Sequence, residues 1–163
     1  MSSTVQTIEA GVLSIAYLEY GPASGWPCIL GHGFPYDVNA YAEAAPLAQA
    51  GARVIVPYLR GFGPTRFLAV GTPRSGEQAA LGADLLALMD ALRIERAVVG
   101  GYDWGGRAAC IVAALWPERA AALSRPIPTT SRTSRGRWSR RARRRKPRCG
   151  TSIISTASAA GAA

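Results

Sequence analysis

An aspartate lies between a predicted strand and a predicted helix in the segment GYDWGG, residues 101–106. The apolar residues before it are typical of a buried strand, and the segment that begins at Gly105 is typical of a helix. Small residues on both sides permit a strained turn, which is the context of a nucleophile presented above a sheet. Because carboxylates are ionised at neutral pH, Asp103 would attack an electrophilic carbon without first losing a proton. An aspartate that only caps a helix is the alternative interpretation.

Two further segments precede this turn in the chain. GHGFPYD, residues 31–37, contains the end of one predicted strand, and RGFGPTRF, residues 60–67, follows the next strand. In this order and spacing, the three segments resemble the α/β-hydrolase superfamily. The resemblance is specifically to its branch of epoxide hydrolases and haloalkane or haloacetate dehalogenases, and it covers roughly residues 5–124.

The resemblance implies a role for each residue of the turn and of the first loop. Asp103 would be the nucleophile that forms an ester with the substrate, and the backbone N–H groups of Trp104 and Phe34 would stabilise the oxyanion when water attacks that ester. The indole of Trp104 would contact a halide or a ring oxygen, or would form only an aromatic wall. Tyr102 stands where many relatives have histidine. The structural residues near the site would be His32, Gly33, Pro35, Gly101, Gly105 and Gly106.

No general base is evident for the hydrolysis of that ester. The match of the single histidine, His32, to the His-Gly-Phe-Pro loop implies a structural residue. In relatives the catalytic histidine and its acidic partner come later in the chain, whereas residues 125–163 contain no His, Asp or Glu. The cap-domain tyrosines that assist epoxide opening in relatives are also missing, because all six tyrosines precede residue 103. We therefore expect Asp103 to be alkylated without release and the enzyme to be inactive or impaired.

Strands and helices alternate along the first 124 residues. The predicted strands are TVQTIE, VLSIAYLEY, PCILGHG, RVIVPYL and RAVVGGY. The predicted helices are YAEAAPLAQAG, a second helix capped by Ser75 with Gln78, and GGRAACIVAALWP. The second helix has a buried stripe at 3.6-residue spacing formed by Leu81, Leu85, Leu88, Met89 and Leu92. Apolar strands separated by helices predict an α/β fold with a parallel sheet covered on both faces.

Together with the resemblance, this pattern predicts the N-terminal half of an α/β-hydrolase fold. The sheet would be mostly parallel and doubly wound, and truncated before the cap and the later strands. Because the family's strands on the far side of RAVVGGY come from later sequence, we expect this strand to be an exposed apolar edge. A chain with such an edge should fold poorly or aggregate.

The net positive charge of the chain comes from its last 39 residues, 125–163. Residues 1–124 carry ten acidic residues and eight arginines (net −2), and residues 125–163 carry ten arginines and Lys146 without an acid (net +11), which together give +9. We therefore predict a partial α/β-hydrolase domain over residues 1–124 and a basic, low-complexity, disordered tail over residues 125–163. Nucleic-acid binding through the five arginines of residues 140–145 is an alternative function, although such charge runs are usually only solvated.

Several other classes of function are disfavoured. No run approaches the roughly 20 apolar residues of a membrane span, and the first residues do not have the pattern of a secretory signal, so a cytoplasmic protein is expected. The spacing of Cys28, Cys110 and Cys149 predicts neither a disulfide framework nor a metal site. No cofactor is expected, because GYDWGGRAA is not a G-x-G-x-x-G phosphate loop.

The expected partner is a small electrophile, either an epoxide or an alkyl halide. Epoxide hydrolysis and dehalogenation therefore remain alternatives. Acyl hydrolysis on the same fold is disfavoured, because no serine stands at position 103.

We further hypothesise that the residues from about Arg125 onward are a frameshifted sequence, because all acidic residues disappear there. Reading GTSIIS, residues 150–155, in the neighbouring frame with freely chosen third bases gives WYQYYF. The same treatment of PIPTTSRTS, residues 126–134, gives AYTYNIEDI, and both resemble the segment that comes after the turn helix in this family. Nucleotide sequencing of codons 120–163 is expected to reveal a one-base slip, and an intact frame would contradict the hypothesis.

Overall fold

One mixed sheet of seven strands organises residues 4–124, which are the residues that the structure, a computed structural model, describes. The strand order in space is β1-β2-β4-β3-β6-β7, and β5 pairs with β2. The strands β3, β4, β6 and β7 run parallel to one another, whereas β2 is antiparallel to β1, β4 and β5. Their bounds are β1 Gln6–Ala10, β2 Leu13–Tyr20, β3 Trp26–Gly31, β4 Ala52–Pro57, β5 Arg66–Phe67, β6 Ala97–Gly101 and β7 Ala120–Ser124.

The central strands are apolar on both faces. Along β3 and β4, alternate side chains enter two separate clusters: Ile29 and Ile55 pack in one, Cys28 and Val54 in the other. All four side chains are buried. Continuous apolar strands of this kind are typical of a parallel sheet that is covered on both sides. The predicted α/β class and the mostly parallel sheet are therefore confirmed.

Helices cover the two faces of the sheet. The longer ones, α2 (Gln78–Ala91) and α3 (Asp103–Leu115), pack against each other and against the first cluster. A 3₁₀ helix (Val38–Tyr41) and α1 (Ala45–Gln49) lie on the side of the second cluster, and another 3₁₀ helix (Pro117–Arg119) precedes β7. Leu81, Leu85, Leu88 and Met89 are buried as predicted, and Leu92 is partly buried at the end of α2.

Two helix predictions were wrong in detail. Residues 41–51 do not form one helix, because the chain turns between the 3₁₀ helix and α1, and Pro46 lies in the first turn of α1, where proline favours a helix start. Ser75 and Gln78 do not form a capping box, because α2 begins only at Gln78. The hydroxyl of Ser75 instead accepts a hydrogen bond from the N–H of Glu77 at 3.1 Å, a local turn that competes with capping.

The sheet continues beyond β6, so the expectation that RAVVGGY is an exposed edge was wrong. β7 pairs in parallel with β6, with Val98 opposite Ala122. The guanidinium of Arg119 fixes the turn before β7, because it donates to the carbonyl of Glu95 at 2.7 Å and to a carboxylate oxygen of Asp90 at 2.6 Å. This strand is alanine-rich and only half-buried, and it therefore carries little of the β-branched signal by which strands are predicted.

The predictions for the tail lie outside the described residues. These are the domain boundary after residue 124, the disordered basic arm of residues 125–163, the frameshift hypothesis and the nucleic-acid alternative.

Candidate active site

Asp103 stands at the sharp turn between β6 and α3. Its backbone φ is +48°, in the left-handed region that non-glycine residues rarely adopt, and the φ of Gly101 is +150°. Tyr102 is the N-cap, and α3 begins at Asp103 itself, two residues earlier than the sequence indicated. The side chain of Asp103 is exposed. The turn thus has the strained strand-to-helix geometry that was predicted, and the role of Asp103 as a nucleophile stays a prediction.

The loop after β3 brings a backbone donor to this carboxylate. The N–H of Phe34 donates a hydrogen bond to Oδ2 of Asp103 at 3.1 Å. Trp104 is the second residue of α3, and the N–H groups in the first turn of a helix have no partner within the helix and favour a negative charge. Both predicted oxyanion donors therefore belong to segments that adjoin the carboxylate. Pro35, which is exposed, follows Phe34 through a cis peptide bond.

Glycines allow α3 to start directly against the end of β3. A Cβ added to Gly105 would lie 2.1 Å from the carbonyl carbon and oxygen of Gly31, and one added to Gly33 would lie 2.7 Å from the Cβ of Asp103. The N–H of Gly105 donates to the carbonyl of His32 at 2.8 Å. Gly106 is buried in the first turn of α3 and donates to the carbonyl of Tyr102 at 3.1 Å. A side chain at Gly105 would therefore require the backbone to move.

His32 is fully buried and holds two backbone segments together. Its Nε2 accepts a hydrogen bond from the N–H of Leu59 at 3.1 Å, which leaves Nδ1 to donate to the carbonyl of Gly33 at 3.3 Å. The ring of Phe62 packs edge-on against it, with centroids 4.8 Å apart. Burial lowers the pKa of His32, although the hydrogen bond with Gly33 and the charge of Asp37 oppose that shift. The ring is therefore held neutral in one tautomer.

Three tyrosine rings pack together at the turn, and the sequence analysis did not assign two of them, Tyr36 and Tyr41, to the site. The ring of Tyr102 packs against those of Tyr36 and Tyr41, with centroids 6.5 and 6.1 Å apart. The hydroxyl of Tyr41 donates to the carbonyl of Gly31 at 2.9 Å, and burial raises the pKa of Tyr41. The buried hydroxyl of Tyr102 has no hydrogen-bond partner among the described residues. No period or motif in the sequence links these tyrosines.

Hydrogen bonds tie the RGFGPTRF segment to β2 and α2. Thr65 is buried, and its hydroxyl accepts from the N–H of Ala16 at 3.0 Å and donates to the carbonyl of Tyr58 at 2.9 Å. Arg60 forms two 2.6 Å hydrogen bonds with the carboxylate of Asp84. The motif was recognised in the sequence, but two of these partners, Ala16 and Asp84, lie far from it along the chain.

Among residues 4–124, no group of three or more His, Cys, Asp or Glu side chains is placed to hold a metal ion. Over the same range, no helix has the length and apolar character needed to cross a bilayer. The absence of a cofactor and the cytoplasmic location remain predictions.

A family comparison agrees with this fold and turn. The sequence profile of the alpha/beta hydrolase fold family matches residues 27–144. The match covers the β3 loop, the RGFGPTRF segment and the Asp103 turn, and it runs past residue 124, the boundary predicted from charge. The chain therefore belongs to the α/β-hydrolase fold family.

Within this family, the chain is similar to proteins that are named epoxide hydrolases. The chain is 57% identical to a proposed epoxide hydrolase from Klebsiella pneumoniae whose crystal structure superimposes with a TM-score of 0.72 over 74% of this chain and 40% of that one. It is 32% identical to epoxide hydrolase A of Mycobacterium tuberculosis over 74% of this chain and 37% of the relative. The predicted likeness to the epoxide hydrolase branch is therefore confirmed for the N-terminal part of the chain.

A third relative is named for a different function. The dihydrolipoyllysine-residue acetyltransferase component of the acetoin cleaving system of Pseudomonas putida is 34% identical over 73% of this chain and 31% of its own length. In each of these three comparisons the chain spans about two fifths of the relative or less.

We expect Gly105→Ala to weaken the packing of α3 on β3. The added methyl group would overlap the backbone of Gly31, and overpacking of this kind costs about 1–3 kcal/mol of the free energy of unfolding. Gly76→Ala is the matched control, because no atom lies within 4 Å of the added Cβ, and it should change the same quantity by less than about 0.5 kcal/mol. Urea denaturation measures both, and equal losses would contradict the close approach.

The stability of the protein should fall as the pH drops below about 6.5, the ordinary pKa of histidine. The pKa of His32 is lowered in the folded state, so the unfolded chain binds more protons than the folded chain in this pH range. The stability that the neutral His32 contributes is therefore complete above pH 6.5 and is lost as the pH falls. One proton limits the slope to about 1.4 kcal/mol per pH unit. Urea denaturation between pH 5 and 7 measures it. Because this histidine is the only one in the chain, His32→Asn should flatten the slope; an unchanged slope would contradict the assignment.

Proposed function

We propose that the chain carries the alkylation half-reaction of an epoxide hydrolase, with Asp103 as the nucleophile. The observation that carries this proposal is the 3.1 Å hydrogen bond from the Phe34 N–H to Oδ2 of Asp103, at an exposed, strained turn. With Oδ2 held by a backbone donor, Oδ1 is the oxygen that attacks. A helix-capping aspartate, the alternative interpretation, would bond to N–H groups of its own helix rather than to a distant loop.

The proposed step is a displacement at a saturated carbon. An electron pair on Oδ1 of Asp103 forms a bond to the carbon, while the epoxide C–O bond breaks and its oxygen takes a proton from water. The product is an ester of Asp103 with a free hydroxyl on the neighbouring carbon. Oδ2 becomes the carbonyl oxygen of this ester and stays beside the N–H group of Phe34, and the N–H group of Trp104 is the proposed second donor. Those donors would stabilise the oxyanion formed if water attacks the ester.

We infer that release of the ester is blocked in this chain. Water needs a general base to attack an ester at neutral pH, and histidine is the usual one. The single histidine, His32, is buried and has both ring nitrogens engaged with backbone groups. We therefore propose a single turnover that ends at the ester and an enzyme that is inactive or impaired in hydrolysis.

The side chains around Asp103 favour a small electrophile with an apolar part. Phe34 and Tyr36 are 67% and 63% exposed, and Trp104 is 36% exposed, so three aromatic rings stand open next to the turn. Epoxides are the leading substrate class, because the relatives in the comparisons include proteins named epoxide hydrolases. The dehalogenase alternative is favoured by one observation: the guanidinium of Arg107 lies 5.5 Å from the centroid of the Trp104 ring. A halide held by that indole would therefore have a positive charge in its neighbourhood.

Exposure to styrene oxide should attach the whole epoxide to Asp103. Intact-protein and peptide mass spectrometry are expected to find one adduct per chain, and Asp103→Asn should lower its rate of formation about 100-fold or more, because an amide is a poor nucleophile. Glu43→Gln is the control, since Glu43 is an exposed carboxylate outside the turn, and its adduct should form at the unchanged rate.

Two outcomes of this experiment would refute parts of the proposal. An adduct on another residue, or none in a folded sample, would remove Asp103 as the nucleophile. Loss of the adduct with release of the diol would contradict the blocked hydrolysis. A parallel reaction with a primary alkyl bromide, which adds only the alkyl group, tests the dehalogenase alternative.

A further inference from the structure

A guanidinium–carboxylate pair joins the segment after β4 to α2. Arg60, in the segment after β4, donates from Nε and Nη2 to the two oxygens of Asp84 on α2, each at 2.6 Å. The same guanidinium donates to the carbonyl of Ser75 at 2.8 Å. Both side chains are mostly buried, at 9% and 13% exposure. A two-pronged pair that is shielded from water in this way is held much more firmly than a surface pair.

Three hydrogen bonds connect Leu59, the residue before Arg60, with the turn at Asp103. Leu59 donates its N–H to Nε2 of His32, the carbonyl of His32 accepts from Gly105 at the start of α3, and the Phe34 N–H two residues beyond His32 donates to Asp103. The turn that follows Leu59 is closed by a 3.0 Å hydrogen bond from the N–H of Phe62 to the carbonyl of Leu59. The ring of Phe62 then packs on His32.

We infer that Arg60 and Asp84 are positioning residues for Asp103, an inference that rests on the proposed function. Their pair fixes the Leu59 segment against α2, and that segment fixes the ring of His32. The ring in turn fixes the loop that carries the Phe34 N–H. Neither side chain touches the reacting atoms in this scheme. Since a shift of about 1 Å in a donor can cost about 100-fold in rate, loosening this support should slow alkylation without removing any group that takes part in it.

The chain offers a matched control for the loss of an ion pair. Arg53 on β4 and Glu19 on β2 also form a two-pronged pair, at 2.7 and 3.3 Å, with side chains 19% and 14% exposed. Arg53 lies near the beginning of β4, and therefore at the end of the parallel strands opposite to the Asp103 turn. Glu19→Gln should therefore destabilise the protein without moving the Phe34 loop.

The experiment compares Asp84→Asn, Arg60→Lys and Glu19→Gln in the full chain. Arg60→Lys keeps the charge but loses the planar fork, and it serves in place of Asp84→Asn if that variant does not fold. The first readout is the rate of adduct formation between styrene oxide and Asp103. The second readout is the pair of ¹⁵N shifts of the imidazole, which need no assignment because the chain has one histidine.

The two site variants should form the adduct about 10-fold or more slowly than the unmodified protein. Their imidazole shifts at pH 8 should move from those of a single tautomer, protonated on Nδ1, toward the average of a free ring. Glu19→Gln should leave both readouts unchanged, even where its loss of stability is the same. If the site variants match Glu19→Gln in both readouts, the inference is wrong. If the unmodified protein forms no adduct, the proposed function fails, and the imidazole shifts still decide whether the pair positions His32.

Discussion

The close approach of the first turn of α3 to the end of β3 is the constraint on which the site depends. Gly31 and Gly105 meet backbone to backbone, and the hydrogen bond from Gly105 to His32 closes the contact. This approach lets the loop after β3 pass directly over the turn at Asp103. A side chain at either glycine would separate the donor loop from the carboxylate, so two positions without chemistry of their own determine whether the chemical groups can meet.

Two sets of contacts support this approach. The helices α2 and α3 share the larger cluster, and Gly82 allows close contact with Ile111 on α3. Beside the turn, the ring of His32 fills the space between the loop and the segment after β4. The hydroxyl of Tyr102 is the one buried side-chain polar group without a hydrogen-bond partner among the described residues, and Tyr102 directly precedes Asp103. Polar groups left unpaired near a site are expected where function and packing compete.

Much of the fold could be predicted because its signals are local. Apolar runs indicated the strands, the 3.6-residue stripe indicated α2, and the glycines around Asp103 indicated the turn. The errors have two physical causes. β7 is held by pairing with β6 and by Arg119 rather than by its own alanine-rich sequence, and Pro46 starts a new helix where periodicity alone indicated a continuous one.

Motifs in the sequence predicted the residues of the candidate site, but not the hydrogen bonds that hold the surrounding segments in place. Asp103, Phe34 and Trp104 were predicted from motifs, because motifs preserve the order of chemical groups along the chain, and their chemical roles stay predictions. The partners of Arg60, Thr65 and Tyr41 were not found, since each contact depends on how distant segments come together in space. Hydrogen bonds between a side chain and a remote backbone atom leave no period in the sequence.

The locked ring of His32 has a consequence for what this part of the molecule can transmit. An imidazole that forms hydrogen bonds with two peptide groups links two loops, as an additional backbone hydrogen bond would. Its ring nitrogens are then not free to exchange protons with the solvent. The side chain best suited to relaying protons near neutral pH is therefore built into the framework. Any relay of protons to or from a molecule bound at this turn has to run through water or through groups supplied from elsewhere.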